Sequence, residues 1–250
     1  MISNKQIYKV LIISSFSVFS LVSVRFGIDD NFEADSAFQH RWADTAQSYT
    51  DRGLEYAYKG NFESAETCLR KSLDIYQKIY QKDHRKIGIT NTNLGYLFIM
   101  NWKYDEAMYH LEKAEEILKL NHGKYPNELG TVLINKGIIF NKLGDFRKAK
   151  LTQKMALKNL LDLDDSRSKF AMIYLYNSLA GVTNSLGDYH KAIEYYVMAE
   201  NLALEHNRDF LHVIYNNLGN LYREINNFRQ SEAYYIKAIS EFPKQSLNPP

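Results

Sequence analysis

The sequence is poor in the residues that build disulfide frameworks and turn-rich folds. It has one cysteine, Cys68, in 250 residues, which excludes an intramolecular disulfide and any site that needs two thiolate ligands. Four prolines and twelve glycines are too few for an all-β fold with many turns. A large excess of charge is also missing, since 31 basic residues stand against 29 acidic ones. Bulk charge therefore does not select nucleic acid or a membrane surface as a partner.

Familiar catalytic motifs are missing too. The chain has no His-Glu-x-x-His, no Gly-x-Ser-x-Gly and no phosphate-binding loop. Its seven histidines never occur four residues apart, the spacing that places two imidazoles on one helix face, so we interpret them as solvated helix or linker side chains. Cys68 lies between Ala65 and Ser72 on an inward stripe, which favours a small buried side chain. We expect no metal, no cofactor and no enzymatic activity.

The first 28 residues differ in composition from the rest. They contain Lys5, Lys9 and Arg25 and no acidic residue. Between Lys9 and Arg25 lies the uncharged run VLIISSFSVFSLVSV, which as a helix spans only about 22 Å. A basic start followed by a short apolar stretch is typical of a signal peptide, and the weak cleavage pattern leaves an uncleaved signal anchor open. We predict a leader over 1–28, the chain's one contact with the membrane if uncleaved, and an extracytoplasmic location in the periplasm or cell envelope.

The remaining chain repeats itself with a period near 42 residues. The first column of the repeat is Gly53, Gly95, Gly137, Ala180 and Gly219, with successive offsets of 42, 42, 43 and 39. Twelve residues further on come Ala65, Ala107, Ala149, Ala192 and Ser231, and seven beyond those come Ser72, Ala114, Ala156, Ala199 and Ala238. Aromatic residues stand three positions before the second column, at Phe62, Tyr104, Phe146, Tyr189 and Phe228. Five copies of the segment share the same residue types at four aligned positions, which indicates a true internal repeat.

Each copy has the pattern of two helices joined by a short turn. Helix ends and turns are predicted at Gly60-Asn61, Gly144-Asp145 and Gly187-Asp188. Small residues such as Gly95 and Ala107 predict that the two helices approach closely. Because each hairpin leaves an apolar edge that only the next one covers, we predict an all-α, right-handed α-solenoid of about five hairpins with a concave inner surface.

At these columns the chain resembles the tetratricopeptide repeat (TPR) family. The closest copies are NTNLGYLFIMNWKYDEAMYHLEKAEEIL and YNNLGNLYREINNFRQSEAYYIKAI. The long period is similar to a subclass of about 42 residues found in kinesin light chains and bacterial proteins, in which a proline commonly follows the linker histidine. Here Arg85 and Asn207 replace that proline, and the fourth copy departs at Ala180 and Thr183. The prediction is a TPR-like solenoid over 29–243 and a tail over 244–250.

Asparagine recurs beside the glycine column. Two residues before it stand Asn93, Asn135, Ser178 and Asn217, with Asn177 and Asn216 adjacent. Repeated amides can bond the main chain of an extended peptide, because an amide both donates and accepts. The resemblance to peptide-binding TPR proteins implies the same role. The predicted groove residues are Asn93, Asn135, Asn177, Asn217, Tyr96, Asn141, Asn184, Asn220 and Arg223. The alternative is that these asparagines bridge neighbouring helices without a ligand.

Two functions fit this pattern. The first is an exported, non-enzymatic scaffold that binds a peptide or protein segment in the concave groove. The second is a sensory or regulatory module of a larger signalling or protease-like protein. After Ala238 the chain runs on to EFPKQSLNPP without a polar capping helix, so the last hairpin is expected to dock a further segment or to mediate self-association. Both functions imply a protein or peptide partner and no nucleic acid.

Overall fold

The structure, a computed structural model, describes residues 30–120 and 124–241. These residues form ten α-helices and one short 3₁₀ helix, with no strand among them. The helices are α1 Asp30–Tyr58, α2 Phe62–Ile79, α3 Arg85–Met100, α4 Tyr104–Leu120, α5 Pro126–Lys142, α6 Phe146–Leu160, α7 Ser166–Ser185, α8 Tyr189–His206, α9 Leu211–Glu224 and α10 Phe228–Glu241. The predicted all-α fold of five helical hairpins is confirmed. The predicted leader and the tail over 244–250 lie outside the described residues.

The chain divides into two compact units, Met1–Asn135 and Lys136–Pro250, and the division falls within α5. In unit 1, α1 packs on α2, α3 packs on α4, and α3 also contacts α1 and α2. In unit 2, α7 packs on α8 and α9 packs on α10, while α7 contacts α6 and α9 contacts α7 and α8. Within each unit, consecutive hairpins therefore cover each other's apolar edges, as the repeat predicts.

The turn inside each hairpin has the same left-handed backbone. Seven residues after the first repeat column, Gly60, Gly144 and Gly187 have φ angles of 76°, 80° and 81°, and Trp102 and Asn226 take the same place at 61° and 60°. One position later, a side-chain oxygen accepts a hydrogen bond from the backbone N–H three residues on, at Asn61, Asp145, Asp188 and Asn227. These caps satisfy amide groups that the first turn of the second helix leaves open. The predicted turns are confirmed.

The glycine column lies where the two helices of a hairpin come closest. A Cβ on Gly95 would stand 2.6 Å from Cγ of Leu111, a fully buried side chain, and 3.3 Å from the carbonyl oxygen of Ala107. Equivalent Cβ atoms would stand 2.9 Å from Leu69 at Gly53, 2.6 Å from Gln153 at Gly137 and 2.6 Å from Tyr235 at Gly219. The predicted close approach is confirmed.

Arg85, which stands where related linkers have proline, begins α3 and holds the linker through an ion pair. Its Nε donates to Oε1 of Glu128 on α5 at 3.1 Å, and the Glu128 side chain is only 8% exposed. The preceding residue, His84, accepts a hydrogen bond at Nδ1 from the backbone N–H of Lys86, and its ring stacks on Tyr80. Side-chain contacts thus replace the stiffness that proline supplies.

The interpretation of all histidines as solvated is wrong for His110. The residue is 6% exposed, its ring stacks on Phe98, and a hydrogen bond of 2.9 Å joins its Nδ1 to Oδ1 of Asn91. Burial, with a smaller contribution from the positive charge of Arg70, lowers the pKa of His110 to about 4. The residue is buried because it precedes Leu111 on the side of α4 that packs against α3.

Two helical glycines give a matched test of the close approach. Gly95→Ala should reduce the free energy of unfolding by about 1 to 3 kcal/mol, because the new methyl group overlaps Leu111. Gly181→Ala should raise it by about 0.5 to 1 kcal/mol, because its nearest neighbour would be the Tyr196 hydroxyl at 3.8 Å and alanine favours the helix. Chemical denaturation measures both, and equal effects of the two changes would contradict the packing described.

His110 should make the fold sensitive to acid. Its folded pKa of about 4 lies below the usual value of 6.5, so the unfolded chain binds a proton that the folded chain rejects. The free energy of unfolding should therefore fall by about 1 to 3 kcal/mol as the pH drops from 6.5 towards 4. Denaturation of His110→Gln across this range should show a smaller loss than the parent. Replacement of the exposed His190 by Gln is the control, and an equal loss in all three proteins would refute the assignment.

Candidate functional site

In unit 1 the asparagine column is largely buried. Asn93 is 7% exposed and Asn135 is 6% exposed. The Nδ2 atom of Asn93 is buried and has no hydrogen-bond partner among the described residues. Only a small part of each amide reaches the surface, so the contact of these two residues with a peptide stays a prediction.

In unit 2 the first helices of two consecutive hairpins, α7 and α9, share a half-exposed polar face. We call it the α7–α9 face; it is lined by the half-buried Tyr174, Asn177, Gly181 and Asn184 of α7, and by the half-buried Asn217 and the exposed Glu224 of α9. The four α7 residues follow one another at intervals of three, four and three, which places them on one side of the helix. The opposite side of α7 is buried against α8.

An amide pair stands in the middle of the α7–α9 face. Nδ2 of Asn217 donates to Oδ1 of Asn177 at 3.0 Å. The other two polar atoms of the pair, Nδ2 of Asn177 and Oδ1 of Asn217, are not among the buried unpartnered atoms, and no hydrogen bond to a described residue occupies them. One donor and one acceptor of the pair therefore remain available for a further hydrogen bond. Both predicted roles of asparagine meet here, because the pair bridges two helices and still has polar atoms free to bond a ligand.

One end of the α7–α9 face carries a held carboxylate. Oε2 of Glu224 accepts a hydrogen bond of 2.8 Å from Nδ2 of Asn184, and Oε1 accepts a longer one of 3.4 Å from the hydroxyl of Tyr189. Burial raises the pKa of Tyr196 to about 12, and the negative charge of Glu224 contributes to that rise. Oδ1 of Asn184 is buried without a partner among the described residues. The end is thus rich in acceptors.

The other end of the α7–α9 face is aromatic. The ring centroids of Tyr174 and Phe210 lie 4.2 Å apart, and those of Phe170 and Tyr174 lie 5.1 Å apart. Tyr174 and Phe210 are half-buried, whereas Phe170 is 7% exposed and belongs to the core. Phe210 reaches this place from the 3₁₀ helix Arg208–Phe210 that precedes α9.

The remaining predicted groove residues are not gathered at one point. Asn220 is exposed and its Oδ1 accepts a hydrogen bond of 2.8 Å from the hydroxyl of Tyr235 in its own hairpin. Arg223 is exposed, and Tyr96 and Asn141 are half-buried. Tyr96 belongs to unit 1, and the other three residues belong to unit 2. Their role in binding stays a prediction.

Sequence reasoning did not single out Glu224, Tyr174, Gly181 or Phe210. The sequence pattern could have identified Tyr174 and Gly181, because they continue the spacing of Asn177 and Asn184 along α7. Glu224 was not, because its partner Asn184 lies 40 residues away in the preceding hairpin. Cys68 is half-buried, which is less than the full burial that its inward position predicts.

The described residues contain no group of three or more His, Cys, Asp or Glu side chains arranged to hold a metal ion. Within the same residues, no helix combines the length and the apolar character that crossing a membrane requires. The polar groups that the structure does bring together are amides, phenols and one carboxylate, which are groups that recognise hydrogen-bonding partners.

Comparison with protein-family models finds a match to the tetratricopeptide repeat over residues 44–120 and 171–240. The two matched segments cover more than half of the chain and include hairpins of both units. This chain belongs to the tetratricopeptide repeat family.

Several solved structures have a similar fold. BtubC (BKLC) from P. vanneervenii is 20% identical over 89% of this chain and 96% of its own, with a TM-score of 0.66. The nearly identical TPR-like repeats of a kinesin light chain from Podosopora anserina are 12% identical over 80% of this chain and 95% of theirs, with a TM-score of 0.62. A Rap protein complexed with Competence and Sporulation Factor is 14% identical over 86% of this chain and 66% of its own, with a TM-score of 0.68.

A search of curated protein sequences finds no match. Family membership gives a general class of function, since TPR domains are generally non-catalytic scaffolds for interactions with other proteins. The fold and the family thus identify this chain as a protein-binding scaffold.

Proposed function

We propose that this chain is an exported, non-enzymatic scaffold that binds an extended peptide segment along the α7–α9 face. The observation that supports the proposal most is the pair of Asn177 and Asn217, which leaves one donor and one acceptor available for a further hydrogen bond. The Rap protein of similar fold is complexed with a named factor, which supports ligand binding as a use of this fold.

The amide pair suits a peptide main chain because it presents the same two groups as a peptide bond. Nδ2 of Asn177 can donate to a ligand carbonyl, while Oδ1 of Asn217 can accept from a ligand N–H. Such bonds do not depend on the ligand's side chains, so they supply affinity for an extended segment of any sequence. The internal hydrogen bond of the pair also fixes both amides before a ligand arrives, which reduces the entropy lost on binding.

Gly181 leaves space for the main chain of a bound peptide to approach α7. It lies on the same stripe of α7, half-exposed between Asn177 and Asn184, and has no side chain. Apart from its own helix backbone, the nearest atom to the position that its Cβ would occupy is the Tyr196 hydroxyl oxygen, 3.8 Å away. A ligand backbone can therefore come closer to the helix here than at any neighbouring position with a side chain.

Export is proposed on the sequence of the leader alone. Lys5 and Lys9 precede the apolar run and Arg25 follows it, and residues 1–28 contain no acidic side chain. In this proposal the basic start stays on the cytoplasmic side and the repeats cross the membrane.

A second candidate function is a regulatory module that docks another protein segment on α10. Three large apolar side chains of that helix are strongly exposed: Phe228 at 64%, Ile236 at 61% and Ile239 at 75%. Exposed apolar side chains grouped on one helix are typical of interaction surfaces. Self-association through this helix belongs to the same proposal.

The amide pair is tested by peptide binding. The double variant Asn177→Ala, Asn217→Ala should bind fluorescent, degenerate hexapeptide pools about 5- to 50-fold more weakly than the parent, because two hydrogen bonds are lost. Fluorescence anisotropy measures the affinity and circular dichroism checks the helices. Asn201→Ala, at an exposed asparagine of α8, is the control and should bind like the parent. Unchanged binding by the double variant, together with loss of binding in Ile236→Ser, Ile239→Ser, would favour docking on α10 instead.

Export is tested with a reporter enzyme that is active only outside the cytoplasm. A fusion to the C-terminal end of the chain should be active with the leader intact and inactive after deletion of residues 2–24. Activity that survives the deletion, or inactivity of both fusions, would contradict export.

A further inference from the structure

The carboxylate of Glu224 is positioned by neutral donors and is not neutralised by a cation. Asn184 and Tyr189 donate to its two oxygens at 2.8 and 3.4 Å. No lysine, arginine or histidine among the described residues forms an ion pair with it, and its chain neighbour Arg223 forms none either. By contrast, Glu128 and Glu241, which also hydrogen-bond to another helical segment, each have an arginine partner.

From this geometry we infer that Glu224 and Asn184 form a subsite for a cationic nitrogen of the bound peptide, either a lysine or arginine side chain or a free α-amino group. The inference rests on the proposed function, because it assigns the chemistry at one end of the α7–α9 face. Each oxygen of a carboxylate can accept more than one hydrogen bond, so the contacts with Asn184 and Tyr189 leave capacity for a ligand N–H.

The surroundings strengthen the attraction for a cation. Tyr189 and Tyr196 bring aromatic rings and hydroxyl groups to the same end of the face, and Tyr196 is 4% exposed. Glu224 and Tyr189 are both exposed, so the Tyr189 ring is the aromatic group that a cation beside Glu224 can contact. Because the donors from Asn184 and Tyr189 already orient the carboxylate, little ordering remains to be done when a ligand binds.

The opposite end of the face selects a different side chain. Tyr174 and Phe210 offer half-buried rings 4.2 Å apart, which suit an apolar or aromatic side chain. Tyr174 and Asn184 are ten residues apart on α7, a separation of about 15 Å along the helix axis. An extended peptide covers that length with about five residues at roughly 3.3 Å each. The inferred ligand segment therefore has about five residues, with an apolar side chain at one end and a cationic nitrogen at the other.

The test uses fluorescent pentapeptide pools with three degenerate central positions. Two pools, Phe-Xaa-Xaa-Xaa-Lys and Lys-Xaa-Xaa-Xaa-Phe, have acetylated N-termini and amidated C-termini and cover both chain directions. Matched pools carry norleucine in place of lysine. A further norleucine pool keeps its free α-amino group. The comparison thus separates a side-chain cation from a terminal one.

At least one cationic pool should bind about tenfold more tightly than its norleucine counterpart. Glu224→Gln should abolish that preference, because it removes the negative charge that attracts the cationic nitrogen. Glu232→Gln, which removes an exposed carboxylate from α10 in the same unit, should keep the preference. The pool whose affinity increases shows whether the cationic nitrogen comes from a side chain or from the α-amino group.

Two other outcomes overturn the inference. A preference for cationic pools that survives Glu224→Gln, or equal binding of all pools by the parent, would refute the subsite and leave peptide binding intact. Absence of binding by every pool, including the hexapeptides used above, would refute the peptide-binding proposal together with the subsite.

Discussion

The constraint on which the rest of the structure depends is the close approach of two helices inside each hairpin. At Gly95 the partner helix leaves no room even for a Cβ, because Cγ of Leu111 would lie 2.6 Å away. This contact fixes which side of the first helix is buried. The opposite side is then fixed as well, and in unit 2 that side carries Asn177, Gly181 and Asn184. The part of the candidate site that lies on α7 and α9 is thus a consequence of hairpin packing, and Phe210 joins it from the 3₁₀ helix that precedes α9.

The repeat, the turns and the small-residue columns were predictable from the sequence because each is a local pattern. A glycine followed by Asn or Asp ends one helix and caps the next, and Gly60-Asn61 does so in the structure. The environment of individual polar residues was less predictable. His110 is the same residue type as the solvated histidines, but it contacts Phe98 and Asn91 on the other helix of its hairpin. Its position in the sequence does not reveal those partners.

The candidate site shows the same division. Asparagines near the glycine column were predicted as one ladder, yet Asn93 and Asn135 are more than nine-tenths buried, whereas Asn177 and Asn217 are half-exposed and bonded to each other. Identical residue types at nearly equivalent positions therefore differ in what they can offer a ligand. The difference depends on side chains from neighbouring hairpins, which a periodic pattern does not specify. The role of Glu224 was hidden for the same reason, because Asn184 lies in another hairpin.

The most direct measurement is a titration of the chain with the degenerate peptide pools, followed by nuclear magnetic resonance of asparagine side-chain amides. If a peptide main chain binds at the amide pair, the Nδ2 resonances of Asn177 and Asn217 should shift with increasing peptide, while that of the exposed Asn201 on α8 should stay in place. Shifts confined to α10, or none at Asn177 and Asn217 while peptide is bound, would contradict binding on the α7–α9 face.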